Sequence, residues 1–137
     1  MKAECDEMGI PCKVVLDSSV GLCISQVDCV FVGSEAVLEN GGIVNKIGTF
    51  TIALCAKAYN KPFYVFAESL KFFKRFPLQQ DDVIALLEVD LDDEHKTDQT
   101  NILVDYTPPE YISALFTDMG IFTPAAVSDQ LINYFNQ

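Results

Sequence analysis

Five residues that could bind a polar ligand fall within the segment 33–49, which reads G-S-E-A-V-L-E-N-G-G-I-V-N-K-I-G-T. They are Glu35, Gly41, Gly42, Asn45 and Lys46. An apolar run precedes this segment and an amphipathic run follows it, which predicts a strand, a glycine-containing loop and the start of a helix. A lysine in the first turn of a helix opposes the helix dipole by roughly 0.3–1 kcal/mol, so it is better suited to a site for an anion. The helix amides and the ammonium group would then face the same negative charge.

The elements around this segment predict an α/β fold, because short β-rich runs alternate with amphipathic stretches. The predicted strands are 13–16, 27–32, 63–67 and 102–105, and the predicted helices are 2–8, 18–26, 46–59, 108–119 and one that starts at Thr123. We therefore expect a Rossmann-like parallel sheet with helices on both faces, in one domain over residues 1–137. Because no strand precedes the first helix, we expect the sheet to be truncated at its N-terminal side.

Three of the predicted helices have a clear apolar face. The inward residues are Ile47, Phe50, Thr51, Leu54 and Ala58 in the third helix, Ile112, Leu115, Phe116 and Met119 in the fourth, and Val127, Leu131 and Phe135 in the last. Residues 70–76 mix aromatic and basic side chains, which is compatible with a partner-binding patch and equally with a half-buried helix edge. Residues 90–101 are polar throughout and predict an exposed loop.

Acids lie where three of the predicted strands end, which is the edge at which open α/β sheets bind ligands. Asp17 and Glu68 could belong to such a site, but capping of the next helix is the favoured interpretation for both. For Glu35 a ligand site is favoured, because Asn45 and Lys46 follow within one loop. The candidate binding set is therefore Glu35, Gly41, Gly42, Asn45 and Lys46, with Asp17 as a further member.

Composition excludes several classes of partner. The net charge is −11, and residues 81–137 hold twelve acids against Lys96 alone. Nucleic-acid binding needs a basic face, so no direct nucleic-acid partner is expected. The acidic half serves either solubility or contact with a basic protein. No apolar run could span a bilayer and no signal-peptide pattern is present, so we expect a cytoplasmic protein with no membrane partner.

The familiar catalytic and cofactor motifs are missing as well. The five cysteines are irregularly spaced, which favours reduced, mostly buried thiols over a zinc site. There is no Walker sequence and no Gly-x-Gly-x-x-Gly, so no nucleotide cofactor is expected. His95 lies in the polar segment, which disfavours Ser-His-Asp catalysis, and Cys29 and Cys55 lie in apolar stretches, where thiols are inert. We therefore predict no catalytic residue, no metal and no cofactor.

Several segments resemble one known family. The run V-D-C-V-F-V-G-S-E-A-V-L-E-N-G-G-I-V-N-K-I-G-T-F is similar to the signature shared by the alpha, beta and delta subunits of eukaryotic translation initiation factor 2B and by isomerases of methylthioribose 1-phosphate and ribose 1,5-bisphosphate. Further matches are N-K-P-F-Y-V-F-A-E-S at 60–69, K-F-F-K-R-F-P-L at 71–78, V-D-Y-T-P-P-E-Y-I at 104–112 and L-F-T-D-M-G-I-F-T-P-A-A-V-S-D-Q-L-I at 115–132. Residues 79–103 fall outside the resemblance.

The resemblance implies a Rossmann-like C-terminal domain, which in the family follows an all-helical N-terminal domain that is absent here. It implies that the catalytic aspartate of the isomerases corresponds to Glu35, and that their catalytic cysteine belongs to an earlier, missing segment. Their substrate-contacting Asn and Lys correspond to Asn45 and Lys46. These correspondences favour a regulatory, non-catalytic subunit. The alternatives are an active sugar-phosphate isomerase and a vestigial pocket for a sugar phosphate or nucleotide.

The resemblance also implies partners. A subunit of initiation factor 2B would belong to the complex that exchanges GDP for GTP on initiation factor 2. It would form a homodimer, contact the other subunits of the complex, and help to sense the phosphorylated alpha subunit of initiation factor 2. We expect the apolar and aromatic helix faces from residue 104 onward to form the dimer surface.

Overall fold

The computed structural model describes residues 1–73 and 104–135. Helices in this part of the chain are α1 (Lys2–Glu7), α2 (Val20–Cys23), α3 (Thr49–Ala58) and α4 (Pro124–Phe135). Strands are β1 (Val30–Val32), β2 (Ala36–Leu38), β3 (Ile43–Lys46), β4 (Phe63–Ala67), β5 (Phe72–Phe73), β6 (Val104–Thr107), β7 (Ala114–Thr117) and β8 (Gly120–Phe122). Single 3-10 turns span Asp17–Ser19, Ile24–Gln26, Ser69–Lys71 and Pro109–Tyr111.

The first sheet has the strand order β1-β4-β7-β8. Its strands β1, β4 and β7 are parallel, and β8 returns antiparallel to β7. Val65 at the centre of β4 is opposite Val32 on one side and Leu115 on the other, so these three side chains share a face. The predicted α/β class is confirmed, with a sheet that is mixed rather than purely parallel.

A second, smaller sheet has the order β5-β2-β3-β6. Strands β2 and β3 form an antiparallel hairpin, β6 pairs antiparallel with β3, and β5 pairs parallel with β2. The β2–β3 hairpin of this sheet is inserted between β1 and α3, where a single glycine-containing loop was expected, whereas β5 and β6 come from later in the chain. It carries Glu35 just before β2 and Lys46 at the end of β3.

The core lies between the helices and one face of the first sheet. Buried sheet residues such as Phe63, Val65 and Leu115 pack there with apolar residues of α3, of α4 and of the turn after α2. The helical members of this cluster are Ile24 in the turn after α2, Ala53 and Ala56 in α3, and Val127 and Leu131 in α4. The small alanines allow α3 to approach the sheet closely, which close packing of a core favours.

The opposite face of the same sheet carries a cluster of aromatic rings. Phe31 stacks on Tyr64 with ring centroids 5.6 Å apart, and Phe116 lies edge-on to Tyr64 at 5.5 Å. Phe66 contacts both Phe31 and Phe116, and it remains half exposed. Within the described residues, the helical layer of the core therefore covers one face of the sheet, whereas helices were predicted on both.

Several predicted elements are confirmed. Strand β4 has the predicted bounds, α1 ends just before the expected stop at Gly9, and the predicted helix 18–26 is a helical segment made of α2 and its flanking 3-10 turns. The last helix, α4, buries Val127 and Leu131 as its periodicity predicted. These elements depend on local patterns of apolar residues, which a sequence displays directly.

The predicted strand 13–16 is wrong for the described chain. Residues 11–16 run without helical structure and pair with none of the described strands, and Val14, Val15 and Leu16 are all exposed. A β-strand requires a partner for its backbone groups, and the described residues supply none to this run. Its composition suits a strand, but its tertiary surroundings do not.

The predicted helix 46–59 begins three residues late and buries a different face. Lys46 ends β3, and α3 starts at Thr49 after a turn at Gly48. The buried residues of α3 are Thr49, Ala53 and Ala56, whereas Ile47 and Leu54 of the predicted stripe are exposed. The stripe was misassigned because small residues, rather than the largest apolar ones, fill the interface with the sheet.

The predicted helix 108–119 is also wrong. After one 3-10 turn at Pro109–Tyr111 the chain forms the β7–β8 hairpin. The backbone N–H of Ser113 donates to the carbonyl of Phe63 at 2.8 Å, and the Ser113 hydroxyl accepts from the N–H of Phe63 at 3.0 Å. These bonds align the chain with β4, and pairing in the sheet outweighs the capping-box signal.

This change removes the basis for the predicted dimer surface, because Ile112 and Leu115 are buried in the core instead of lining an exposed helix.

In the segment 70–76, Leu70 and Phe73 are exposed while Phe72 is buried, and residues 74–76 lie outside the described part. The predicted loop 90–101 lies outside it too. Among the described residues, no helix combines the length and apolar character needed to cross a membrane.

Candidate functional site

Glu35 and Lys46 meet at the open end of the β2–β3 hairpin. The backbone N–H of Glu35 donates to the carbonyl of Val44 at 2.8 Å, which places Glu35 beside the end of β3. The ammonium Nζ of Lys46 lies 3.0 Å from Oε1 of Glu35. The Lys46 side chain is 73% exposed and the Glu35 side chain is 43% exposed, so water and salt screen this ion pair.

The position of Lys46 changes the electrostatic argument made from sequence. Lys46 is the last residue of a strand, not part of the first turn of a helix, so it does not oppose the α3 dipole as predicted. Its ammonium group already has a negative partner in Glu35. An incoming anion would therefore compete with an internal carboxylate for Lys46.

The N-terminus of α3 also has a negative partner, and that partner is Asp105 on β6. Oδ2 of Asp105 accepts hydrogen bonds from the backbone N–H groups of Gly48, at 2.8 Å, and Phe50, at 3.1 Å. The amides that were predicted to attract a bound anion are thus capped by a carboxylate of the chain itself. This residue was not predicted from the sequence, because it lies far from α3 along the chain.

Burial raises the pKa of Asp105 above its ordinary value, although the hydrogen bonds from Phe50 and Gly48 act in the opposite direction. The second oxygen, Oδ1, is buried and accepts no hydrogen bond from any described residue, which fits this balance. Asp105 therefore combines a favourable cap with an unfavourable loss of hydration.

Asn45 lies next to this cap and is opposite Asp105 in the β3–β6 ladder. Its Nδ2 donates to Oγ1 of Thr49 at 3.2 Å, and that hydroxyl donates to the carbonyl of Lys46 at 2.7 Å. The amide of Asn45 thus supports the turn into α3. Asn45 is adjacent to Lys46 in the chain, but its side chain is hydrogen-bonded to Thr49 at the start of the helix.

Gly41 and Gly42 form the closed end of the same hairpin, away from the ion pair. Four residues of extended chain separate Gly42 from Lys46, or roughly 13 Å at about 3.3 Å per residue. A Cβ on Gly42 would lie 2.6 Å from Cε2 of Tyr106 and 2.9 Å from the carbonyl of Thr107. Gly41 has a φ of +84° and abuts the backbone of Pro124. Both glycines therefore allow close packing of the turn, and the structure does not place them beside Glu35 and Lys46.

The hydrogen bonds of Asn40 reinforce this packing role. Its Oδ1 accepts from the N–H of Gly42 at 2.9 Å, and its Nδ2 donates to the hydroxyl of Tyr106 at 2.6 Å. The segment N-G-G is thus a turn anchored on β6. A phosphate cradle would require amides that point to solvent, but the amides of Gly41 and Gly42 are both bonded internally, to the carbonyl of Leu38 and to Oδ1 of Asn40.

Neither Asp17 nor Glu68 caps the helical turn beside it with its side chain, although capping was the favoured interpretation for both. Asp17 opens the 3-10 turn before α2, is exposed, and within the described residues makes no side-chain hydrogen bond or ion pair. Glu68 precedes the next 3-10 turn without a side-chain capping bond. The structure records no contact that joins Asp17 to Glu35 or Lys46.

A second carboxylate that was not predicted from the sequence holds the end of β4. Asp118, in the β7–β8 turn, accepts from the N–H of Ser69 at 2.7 Å and from its hydroxyl at 2.8 Å. These bonds lower the pKa of Asp118. The ammonium of Lys71 donates to the carbonyl of Ser34 at 3.0 Å, so the loops at the carboxyl ends of β1, β4 and β7 are tied together.

The described part of the chain offers no built metal site, since no three potential metal-ligating side chains lie close enough together there. The five cysteines are free and partly buried. What remains at the predicted site is an exposed ammonium and a carboxylate, beside a capped helix. In this arrangement the ammonium group is accessible to solvent but already has a carboxylate partner.

Comparison with known proteins resolves the family. The family model described as the initiation factor 2 subunit family matches residues 1–124. The chain belongs to this family. The match includes both sheets and ends where α4 begins.

Relatives in the initiation factor 2 subunit family carry two kinds of name. The chain is 47% identical over 139 residues to translation initiation factor eIF2B subunit alpha of Dictyostelium discoideum, which covers 92% of this chain and 43% of that relative. It is 37% identical over 140 residues to ribose 1,5-bisphosphate isomerase of Thermococcus kodakarensis, which covers 93% of this chain and 42% of that relative. The chain therefore spans less than half the length of these relatives.

The fold agrees with a solved structure of the initiation factor 2 subunit family. The crystal structure of translation initiation factor eIF-2B from Pyrococcus horikoshii superposes with a TM-score of 0.70 at 27% identity. The superposition covers 90% of this chain and 43% of that one. The resemblance stated from sequence motifs is thereby confirmed at the level of family and fold.

Proposed function

We propose that this chain is a regulatory, non-catalytic subunit domain of the translation initiation factor 2B complex, of the alpha type. The observation that carries the proposal is the 47% identity to an eIF2B subunit alpha over 92% of the chain. The identity to the isomerase relative is lower, at 37%. In this proposal the chain acts in the cytoplasm, as part of the complex that exchanges GDP for GTP on initiation factor 2.

The site geometry supports a role without catalysis. General acid–base chemistry requires a carboxyl group that is within reach of a substrate proton and has a pKa suited to the task. The carboxylate of Glu35 is instead paired with Lys46, and it lies on an exposed hairpin end. The proposed partners are a second copy of this chain, other subunits of initiation factor 2B, and the phosphorylated alpha subunit of initiation factor 2.

An exchange assay tests this proposal. A complex of initiation factor 2B that lacks its alpha subunit is supplied with this chain, and GDP release is measured on unphosphorylated and phosphorylated initiation factor 2. We expect the chain to join the complex and to strengthen inhibition by the phosphorylated form. Failure to associate with the complex, or association without any change in inhibition, would contradict the proposal.

A second candidate function is binding or isomerisation of a sugar phosphate. The named isomerase relative and the retained Asn45 and Lys46 favour it. Turnover of ribose 1,5-bisphosphate or methylthioribose 1-phosphate by this chain would establish an enzyme and overturn the regulatory proposal. Thermal stabilisation by either compound without turnover would support a vestigial pocket.

A further inference from the structure

The C-terminus of α1 is closed by a glycine turn that reverses the chain. Gly9 has a φ of +69°, and its N–H donates to the carbonyl of Asp6 at 3.1 Å. The N–H of Ile10 donates to the carbonyl of Cys5 at 2.8 Å. These two bonds around a left-handed glycine form a Schellman motif, in which the residue after the glycine packs back on the last turns of the helix. The chain that leads to Cys12 is therefore directed back toward Cys5.

Two thiols meet at this turn. Burial raises the pKa of the Cys5 thiol, and the Cys12 thiol raises it further through a side-chain hydrogen bond and through charge repulsion between the two thiolates. Such a hydrogen bond requires the two sulfur atoms to be close in space. Both thiols are free and only partly buried, so small reagents can reach them. Cys5 and Cys12 are thus an accessible dithiol at the end of α1.

We propose that Cys5 and Cys12 form a reversible disulfide, which makes this turn a site of oxidative modification by small disulfides such as glutathione disulfide. The thiolate of one cysteine attacks the oxidant, forms a mixed disulfide and releases one reduced glutathione. The thiolate of the other cysteine then attacks the protein sulfur of that mixed disulfide and releases the second. Two electrons pass from the protein dithiol to the oxidant, and the two released thiolates take up the two protons that the cysteines lose.

The disulfide would stabilise a helix that has few other attachments. None of the α1 residues is buried, and six residues are too few for a helix that is stable by itself. A covalent bond from Cys5 to Cys12 closes a short loop around the turn and removes open forms of this segment. Amide hydrogen exchange in α1 should therefore slow on oxidation, and unchanged exchange would contradict this effect.

The positions of two lysines allow a direct test on the whole chain. Trypsin cleavage after Lys2 and Lys13 releases residues 3–13, so both thiols fall in one peptide. The folded chain is equilibrated in glutathione redox buffers, quenched with acid, alkylated and digested, and the peptide is identified by mass spectrometry. We expect a form that has lost two hydrogens and carries no alkyl group. Treatment with dithiothreitol before alkylation should restore the doubly alkylated form.

The tryptic peptide of residues 14–46 is an internal control, because it contains Cys23 and Cys29 at a similar spacing. The structure records no contact between these two thiols, so we expect both to remain alkylated at redox ratios that oxidise Cys5 and Cys12. Equal oxidation of the two pairs would overturn the proposal. A peptide of residues 3–13 that stays doubly alkylated at every glutathione ratio would overturn it as well.

The matched pair Gly9→Val and Gly9→Asn tests whether the Schellman turn brings the thiols together. A Cβ added at Gly9 would meet nothing within 4 Å, so both variants act through the backbone conformation. Valine is strained at a positive φ, whereas asparagine tolerates it. We expect the equilibrium constant for disulfide formation to fall about tenfold in Gly9→Val and to stay near the wild-type value in Gly9→Asn. Equal constants in both variants, in the wild type and in the chain unfolded by urea would overturn the role of the turn.

Discussion

Asp105 Oδ2 lies 2.8 Å from the backbone nitrogen of Gly48, and this contact joins the end of one sheet to the start of α3. The helix begins where it does because its first amides have this acceptor, since its own preceding residue is a glycine with no side chain to supply one. The same contact occupies the position at which an external anion was expected. The amides at the start of α3 therefore connect the helix to β6 through Asp105 and have a structural role.

Replacement of Asp105 by alanine should destabilise the fold. The variant leaves the N–H groups of Gly48 and Phe50 without their acceptor, a loss of about 1–2 kcal/mol for a helix cap. Asp105→Asn keeps an acceptor oxygen and removes the buried charge, so we expect stability close to that of the wild type. Urea unfolding measures both, with Asp17→Ala as an exposed control. An Asp105→Ala variant as stable as Asp17→Ala would show that the cap contributes nothing.

The stability conferred by Asp118 should depend on pH. The hydroxyl and N–H of Ser69 lower the pKa of this carboxyl below its ordinary value of 3.8. The folded state therefore favours the ionised form, so the stabilisation is present above pH 3.8 and is lost as the pH falls through the lower folded-state value. The difference in urea midpoint between wild type and Asp118→Asn should be largest near neutral pH and shrink in acid. A difference that grows as the pH falls would contradict this.

The ion pair of Glu35 and Lys46 should contribute little to stability. Both side chains are substantially exposed, so a double-mutant cycle with Glu35→Gln and Lys46→Met should give a coupling energy of about 1 kcal/mol or less. Molar salt should reduce this coupling further, because screening weakens exposed charge pairs. A coupling that is large and independent of salt would mean that the pair is buried in solution.

The same two residues should control anion binding in opposite directions. Thermal unfolding in increasing inorganic phosphate should show stabilisation of the wild type that Lys46→Ala loses. Glu35→Gln should be stabilised more than the wild type, because the internal competitor for the ammonium group is neutral. Sodium chloride at matched ionic strength is the control. Equal phosphate responses in all three proteins would exclude a binding role for Lys46.

Addition of a methyl group at Gly42 should be costly. The Cβ of alanine would lie 2.6 Å from the ring of Tyr106 and 2.9 Å from the backbone of Thr107. Overpacking of this kind costs typically about 1–3 kcal/mol. Gly21→Ala is the matched control, since this residue is in α2 and a Cβ added to it would meet nothing within 4 Å. Chemical denaturation should separate the two variants clearly, and equal stabilities would show that the turn can move away from β6.

Elements with a purely local signal were predictable from the sequence. The apolar run of β4 and the periodicity of α4 needed no knowledge of the rest of the chain. Glu35 and Lys46 were chosen as site residues from their types and spacing, and the structure does bring them together. The geometry that does so, a hairpin pairing β2 with β3, was not predicted, because a short antiparallel insertion looks like a glycine-rich loop in sequence.

The structure of other segments depended on contacts with residues that are distant in the sequence. Residues 108–119 carry a helix signal, but the bonds between Ser113 and Phe63 draw the chain into the sheet. Lys13–Leu16 carries a strand signal, yet no partner strand lies beside it in the described chain. Asp105 has no local signature as a helix cap, since its two donors lie more than fifty positions earlier. The sequence by itself determined the family, the α/β class and the residue types available at the site. The tertiary structure alone decided which backbone groups and charges found partners, because hydrogen bonds and ion pairs depend on distances in space that spacing along the chain does not encode.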